Sequence, residues 1–170
     1  MKKGLSAEVL ATWRNPLRVT ARRVASAREA QVLGWLMLAM LLAFVAGLPG
    51  LMRVAATGAE VPPPEALAAG RLLGGLIVAP LVFYLLAGLG LLALRLGGVR
   101  GVPGVQARAA LFWALLAVMP AVLARAALDA LLPGGLPALA AGALGLGILA
   151  VWLAFWGCGL RAAARQAAAR

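Results

Sequence analysis

The sequence predicts an all-α polytopic membrane protein: a helical bundle of four transmembrane helices, preceded by an N-terminal amphipathic interfacial helix pair. Long uncharged apolar stretches, charge confined to their edges, and tryptophans near the charged ends predict this fold. Apolar residues make up 64% of the chain and charged residues only 12%, whereas soluble domains average about a quarter charged residues. The mean hydropathy of +0.99 agrees with a lipid environment.

Four segments are long enough to cross a bilayer, whose hydrocarbon core of about 30 Å needs roughly 20 helical residues. Three uncharged stretches are Ala30–Met52, Leu72–Leu94 and Ala130–Leu160. A shorter one, Ala109–Ala124, continues past two charged residues to Leu132. The predicted spans cover residues 30–50, 72–94, 109–132 and 137–160, which together form a membrane domain over residues 30–160.

The charges are distributed unequally between the two predicted sides of the membrane. Thirteen of the sixteen lysines and arginines lie before the first span, between the second and third, or after the fourth. Since such cations stay cytoplasmic, both termini are expected in the cytoplasm. The tryptophans of the predicted spans lie toward the same side: Trp35, Trp113, Trp152 and Trp156. Topology and anionic lipid therefore account for the net charge of +11, and no nucleic-acid partner is predicted.

Residues 1–29 are predicted to form a basic amphipathic interfacial segment. One helical face carries apolar side chains and Thr20, and the opposite face carries arginines every four residues, a pattern typical of helices lying in the interface plane. Asn15 is a favoured N-cap and Pro16 a favoured first residue, which predicts two helices, Ser6–Arg14 and Pro16–Ala27. The alternative is a plain basic leader that only sets topology. The predicted membrane-surface residues are Trp13, Arg14, Leu17, Arg18 and Arg22, and the apolar face also includes Val9, Thr20 and Val24.

Prolines and glycines predict where helices end, bend or approach closely. Pro49-Gly50 is expected to close the first span, and Val61–Glu65 to form a stiff extended piece. Pro80 and Pro120 are expected to bend the second and third spans. Residues 161–170 are expected to form a basic cytoplasmic tail. Small residues spaced for close helix packing occur at Gly70-xxx-Gly74, Ala138-xxx-Gly142 and Ala141-xxx-Gly145.

The candidate site residues inside the membrane are few. Arg125 and Asp129 are spaced i, i+4 and could form an intramembrane ion pair, either at the outer boundary or as part of an ion pathway. Tyr84, the only tyrosine, is a candidate polar contact between helices or with a substrate. The chain has no histidine, which excludes His-based metal, haem and general-base chemistry, and the single Cys158 excludes an internal disulfide. No catalytic residue, cofactor or metal site is predicted.

Three stretches carry a resemblance to a known family: Trp13-Arg14-Asn15-Pro16, Ala79–Leu85 and Arg108–Leu115. The chain resembles small bacterial, in particular alphaproteobacterial, members of the YIP (Ypt/Rab-interacting) membrane-protein family. The Asp-Leu-Tyr-Gly-Pro motif of the eukaryotic members is absent, and their five spans differ from the four predicted here. The resemblance implies a non-enzymatic protein that acts in membrane organisation or through partners, without Rab binding.

Three functions remain open from the sequence. The first is a non-catalytic protein integral to the bacterial inner membrane, which organises anionic lipid or scaffolds other membrane proteins or copies of itself. The second is an accessory or assembly subunit of a respiratory or photosynthetic membrane complex. The third is a small transporter or channel, which would use the Arg125–Asp129 pair and Tyr84.

Overall fold

The structure is a computed structural model that describes residues 4–56 and 63–169, and within those ranges it contains helices but no strand. Two short helices come first and four long helical segments follow. The elements are α1 (Leu5–Arg14), α2 (Pro16–Ala25), α3 (Glu29–Ala56), α4 (Pro64–Leu73), a π-helical turn (Gly74–Val78), α5 (Ala79–Leu96), α6 (Gly104–Leu131) and α7 (Ala138–Ala168).

Four helical segments are long and apolar enough to cross a membrane: Glu29–Val54, Glu65–Leu96, Gly104–Leu131 and Ala138–Ala168. The all-helical, four-span fold predicted from the sequence is therefore confirmed, and the chain is an integral membrane protein. We call the end of the bundle that holds Glu29, the 97–103 connection and Arg161 the basic end, and the other the opposite end. The opposite end carries the turn between α6 and α7.

The second span is a continuous helical segment that changes register once. The Ala79 N–H bonds the carbonyl of Gly74, five residues back, which is the π-helical spacing. Pro80 follows directly and has no N–H to donate, so the change of register lies next to the missing backbone hydrogen bond.

Two predictions differ from the structure, and the predicted basic tail has a helical structure that the sequence analysis did not specify. Pro49-Gly50 does not close the first span, since α3 continues to Ala56 with Pro49 inside it. A single proline removes one helical bond, whereas unwinding the apolar residues after it would expose several backbone groups to lipid. The 161–170 tail is helical through Ala168, because it contains only good helix formers. Of the predicted extended piece Val61–Glu65, Val61 and Pro62 lie outside the described residues. Pro64 and Glu65 are not extended but begin α4, because proline favours the first turn of a helix.

Helix α6 lies at the centre of the bundle. Within an apolar 18-residue stretch of each span, half of the α6 residues are buried inside the protein, against 28%, 17% and 6% in the first, second and fourth spans. Toward the basic end its side chains from Ala109 to Ala114 have no exposed surface. The other long helices pack around α6 and turn most of their own surface outward.

Close helix contacts occur at glycines other than those of the predicted small-residue motifs. A Cβ placed on Gly159 would lie 2.6 Å from the Ala110 Cβ, and one placed on Gly90 would lie 2.8 Å from Trp156 Cζ2. The motif glycines have open space where a Cβ would be: Gly70, Gly74, Gly142 and Gly145. Within this chain, the motif glycines therefore do not provide the tight packing expected of them.

We expect Gly159→Leu to destabilise the protein much more than Gly142→Leu does. Overpacking a filled contact costs about 1–3 kcal/mol, because neighbouring backbone must shift to make room. The midpoint of thermal unfolding in a mild detergent measures the difference. Equal midpoints for the two variants would contradict the α6–α7 contact at Ala110.

Candidate functional site

Helices α1 and α2 fold back on each other, and we call residues 5–25 the N-terminal hairpin. The Asn15 side chain accepts a hydrogen bond from the Arg18 N–H at 3.2 Å and caps α2, whose first residue is Pro16. Glu8 of α1 then meets two arginines of α2: Arg22 at 3.2 Å and Arg23. The cap and this ion-pair cluster hold the two helices side by side. The sequence predicted the Asn15 cap and the start of α2 at Pro16, but neither the ion pairs nor the packing of α2 against α1.

Helix α1 is joined to the central helix by two indole hydrogen bonds. Trp13 Nε1 donates to the carbonyl oxygen of Ala117 at 2.8 Å, and Trp113 Nε1 donates to Thr12 Oγ1 at 3.3 Å. Ala117 lies about 20 Å along α6 from Gly104, at about 1.5 Å per residue. The hairpin therefore extends well along the α6 span and does not contact only its end.

Arg23 lies between two tryptophans of the bundle. Its guanidinium carbon is 4.9 Å from the Trp113 ring centroid and 5.8 Å from that of Trp35. Desolvation by burial lowers the pKa of Arg23 below its ordinary value. The negative charge of Glu8 and the ring faces offset the cost of burying this cation.

Helix α2 is fixed to the end of α7 by a chain of amide contacts. Gln166 Nε2 donates to the carbonyl of Ala21 at 3.1 Å, and Gln106 Nε2 donates to Gln166 Oε1 at 3.2 Å. Thr20 packs beside Gly159. Gln166 of the predicted basic tail is thus part of the surface on which the hairpin lies.

The apolar face of the hairpin is shared between the protein and its surroundings. Val9, Thr20 and Val24 are buried against the bundle, whereas Trp13 and Leu17 remain 41% and 50% exposed. Helical periodicity indicates which face needs burial, but it cannot distinguish a protein surface from lipid. The predicted membrane-surface arginines are all exposed: Arg14, Arg18 and Arg22. Their contact with a membrane surface stays a prediction.

Two grooves follow α1. A basic groove of about 760 Å³ runs between α1 and α2 and is lined by Arg14, Arg18 and Arg22 together with small apolar residues. An apolar groove of about 340 Å³ runs between α1, α3 and α6 beside Pro120. Leu10 lines both grooves. The hairpin thus places cations and hydrocarbon surface next to each other.

The predicted Arg125–Asp129 pair is not formed. Asp129 pairs instead with Arg53 of α3 and accepts a hydrogen bond at Oδ1 from the Leu136 N–H at 2.8 Å. Arg53 Nη1 also donates to the Asp129 carbonyl at 2.5 Å. Gly135, with φ of +82°, leaves room for this cluster. Asp129 turns toward the loop between α6 and α7 and closes the opposite end of the bundle. Sequence spacing could not reveal its partner, which lies 76 residues away.

Tyr84 contacts α6 through its ring. The ring makes an edge-to-face contact with Phe112, at 5.2 Å between centroids, and the Arg108 guanidinium lies 5.7 Å from it. Arg108 also pairs with Glu29 at the start of α3. Within the described ranges the Tyr84 hydroxyl forms no hydrogen bond, so the predicted polar contact between helices is a ring contact.

Comparison with known proteins yields no match: no family model, no curated protein and no solved structure is similar to this chain. Over the described residues, no group of three or more His, Cys, Asp or Glu side chains is placed to hold a metal ion. The N-terminal hairpin, with its exposed arginines and two grooves, is accordingly the candidate functional site.

We expect Glu8→Gln to loosen the hairpin. The side chains of Glu8 and Arg23 are only 10% and 16% exposed, so losing the carboxylate leaves a shielded cation without its counter-charge, at a cost of about 2 kcal/mol or more. Tryptic cleavage after Arg14 or Arg18 in the folded protein should become at least about tenfold faster.

The matched control is Glu29→Gln, which removes a carboxylate whose side chain is 63% exposed. An exposed pair of this kind contributes little, so cleavage in the hairpin should not change. Equal protease sensitivity of the two variants would contradict the role given to Glu8.

Proposed function

We propose that this chain is a non-catalytic inner-membrane protein that organises the membrane, or scaffolds other membrane proteins, through its N-terminal hairpin. The observation that carries the proposal is a basic helical hairpin docked on the central helix with its arginines left exposed. The proposal agrees with what the resemblance to YIP membrane proteins implies. It puts the basic end and both termini on the cytoplasmic side.

The exposed arginines supply the attraction to lipid. Arg14 and Arg18 form no ion pair with any residue that the structure describes, so both charges remain available to an anionic headgroup. A cation near an anionic leaflet contributes about 1 kcal/mol. The attraction is therefore substantial once several arginines act from one surface.

Docking on α6 lowers the entropic cost that the hairpin pays when it binds lipid. An isolated amphipathic helix loses conformational entropy when it orders on a membrane, whereas helices already held by Trp13, Glu8 and Gln166 lose little. The hairpin also holds the arginines at a fixed position relative to the spans. We infer that lipids, or proteins carrying acidic segments, gather around a rigid basic surface.

A second candidate function, an accessory or assembly subunit, is favoured by the surface of α7. Within an apolar 18-residue stretch of this span only 6% is buried within the chain, and Leu139 and Leu146 are 90% and 68% exposed. Gly142 and Gly145 lie beside them with open space above. A helix of another membrane protein can approach such a surface closely.

Extraction of the full-length protein from its native membrane into polymer nanodiscs tests the proposal. We expect the discs to contain a higher fraction of acidic phospholipid than the bulk membrane, and to carry other membrane proteins in variable amounts. Discs with the bulk lipid composition and no other protein would contradict it. A single partner complex in fixed stoichiometry would favour the accessory-subunit function.

We expect both termini to be cytoplasmic. In a Cys158→Ser background, Ser26→Cys at the basic end should be protected from a membrane-impermeant maleimide in right-side-out spheroplasts. Ala130→Cys at the opposite end should react. Both positions are exposed, so lysis should allow both to react and serves as the control. The reverse labelling pattern would overturn the proposed orientation.

A further inference from the structure

We propose that the N-terminal hairpin and α6 form a two-part site for one acidic glycerophospholipid. Its phosphate headgroup lies in the basic groove, and one of its acyl chains lies in the apolar groove on the adjoining face of α1. This inference rests on the proposed function, since it names the ligand class of the same basic surface. It replaces a diffuse attraction to the leaflet with a defined site.

The basic groove has the chemistry of a phosphate site. Arg14 comes from α1, and Arg18 and Arg22 come from α2, so arginines line both walls of the groove. Arg22 keeps 58% of its side chain exposed although one of its nitrogens contacts Glu8. Guanidinium groups donate paired hydrogen bonds to phosphate oxygens, and such charge-assisted bonds are stronger than neutral ones.

The apolar groove has the chemistry of an acyl-chain site. Its walls are Val9 of α1, Leu38 and Leu42 of α3, and Leu116 and Pro120 of α6, and it opens to the outside of the bundle. Ser6 is the lining residue with a polar side chain. In a membrane, hydrocarbon and not water fills a groove of this composition, because a buried water needs several polar partners.

The two grooves are adjacent because they occupy neighbouring faces of one helix. Leu5, Ser6 and Val9 line the apolar groove, while Ala7, Ala11 and Arg14 line the basic one. Leu10 stands between these faces and lines both. A phospholipid is the ligand that matches both parts, because its phosphate and its acyl chains belong to one molecule. A free phosphate would use only the basic groove, and an acidic peptide would not need the apolar one.

Native mass spectrometry of the full-length protein, released from nanodiscs of phosphatidylcholine with a minor share of phosphatidylglycerol, tests the site. We expect one phosphatidylglycerol to be retained by the wild type. The double variant Arg14→Gln, Arg18→Gln should lower its apparent affinity about tenfold or more. Leu42→Trp, which narrows the apolar groove, should lower it as well.

Matched controls distinguish binding in the two grooves from nonspecific electrostatic attraction of the acidic lipid. The double variant Arg28→Gln, Arg95→Gln makes the same change in net charge at exposed positions outside both grooves, and Leu41→Trp adds an indole on an exposed face of the same helix. Both should leave retention within about twofold of the wild type. An equal loss in the groove and control variants would overturn the two-part site and leave the proposed function standing.

Three further results would also overturn the site. The first is that glycerol phosphate or inorganic phosphate competes as effectively as the lipid does and that Leu42→Trp has no effect. This result would mean that the site binds the headgroup alone. The second is displacement of the lipid by a glutamate-rich peptide at equal concentration, which would mean an acidic protein segment as occupant. The third is a wild type with no preference for phosphatidylglycerol, which would contradict the proposed function too.

Discussion

The contact between the N-terminal hairpin and α6 is the interaction on which the rest of the structure depends. Lipid provides no hydrophobic force between helices, so a bundle must be held by close packing and by polar groups that satisfy each other. On α6 the buried Ala110 allows close approach of Gly159 of α7 at the basic end. Trp113 and the Ala117 carbonyl supply the hydrogen bonds to α1.

This contact also determines which charges are available for function. Glu8 neutralises part of the charge of Arg22 and Arg23, and two tryptophans enclose Arg23, so those groups serve the fold. Arg14 and Arg18 are left on the outer surface beside an apolar groove. A hairpin held by the bundle therefore presents cations at a fixed place, which a mobile basic leader could not do. At the opposite end, the Arg53–Asp129 pair closes the bundle independently.

The sequence predicted the features that arise from local chemistry. Span number followed from apolar length, and the break between α1 and α2 followed from Asn15-Pro16, because each depends on residues close together in the chain. Long-range partners could not be predicted: Trp13 with Ala117, Gln166 with Ala21, and Asp129 with Arg53 depend on how the helices pack. Among the predicted membrane-surface residues, the arginines are exposed. Much of the apolar face of the hairpin packs against the protein, and helical periodicity cannot distinguish a protein surface from lipid.

Hydrogen exchange of residues 5–25 in lipid nanodiscs tests the central claim that the hairpin is docked on α6. Amides of a docked hairpin open only when the bundle contact breaks, so those of buried Val9, Thr12, Val19 and Val24 should exchange as slowly as amides of α6. An interfacial helix lying free on the membrane opens by fraying alone. Exchange of those amides within seconds, with α6 still protected, would contradict the account.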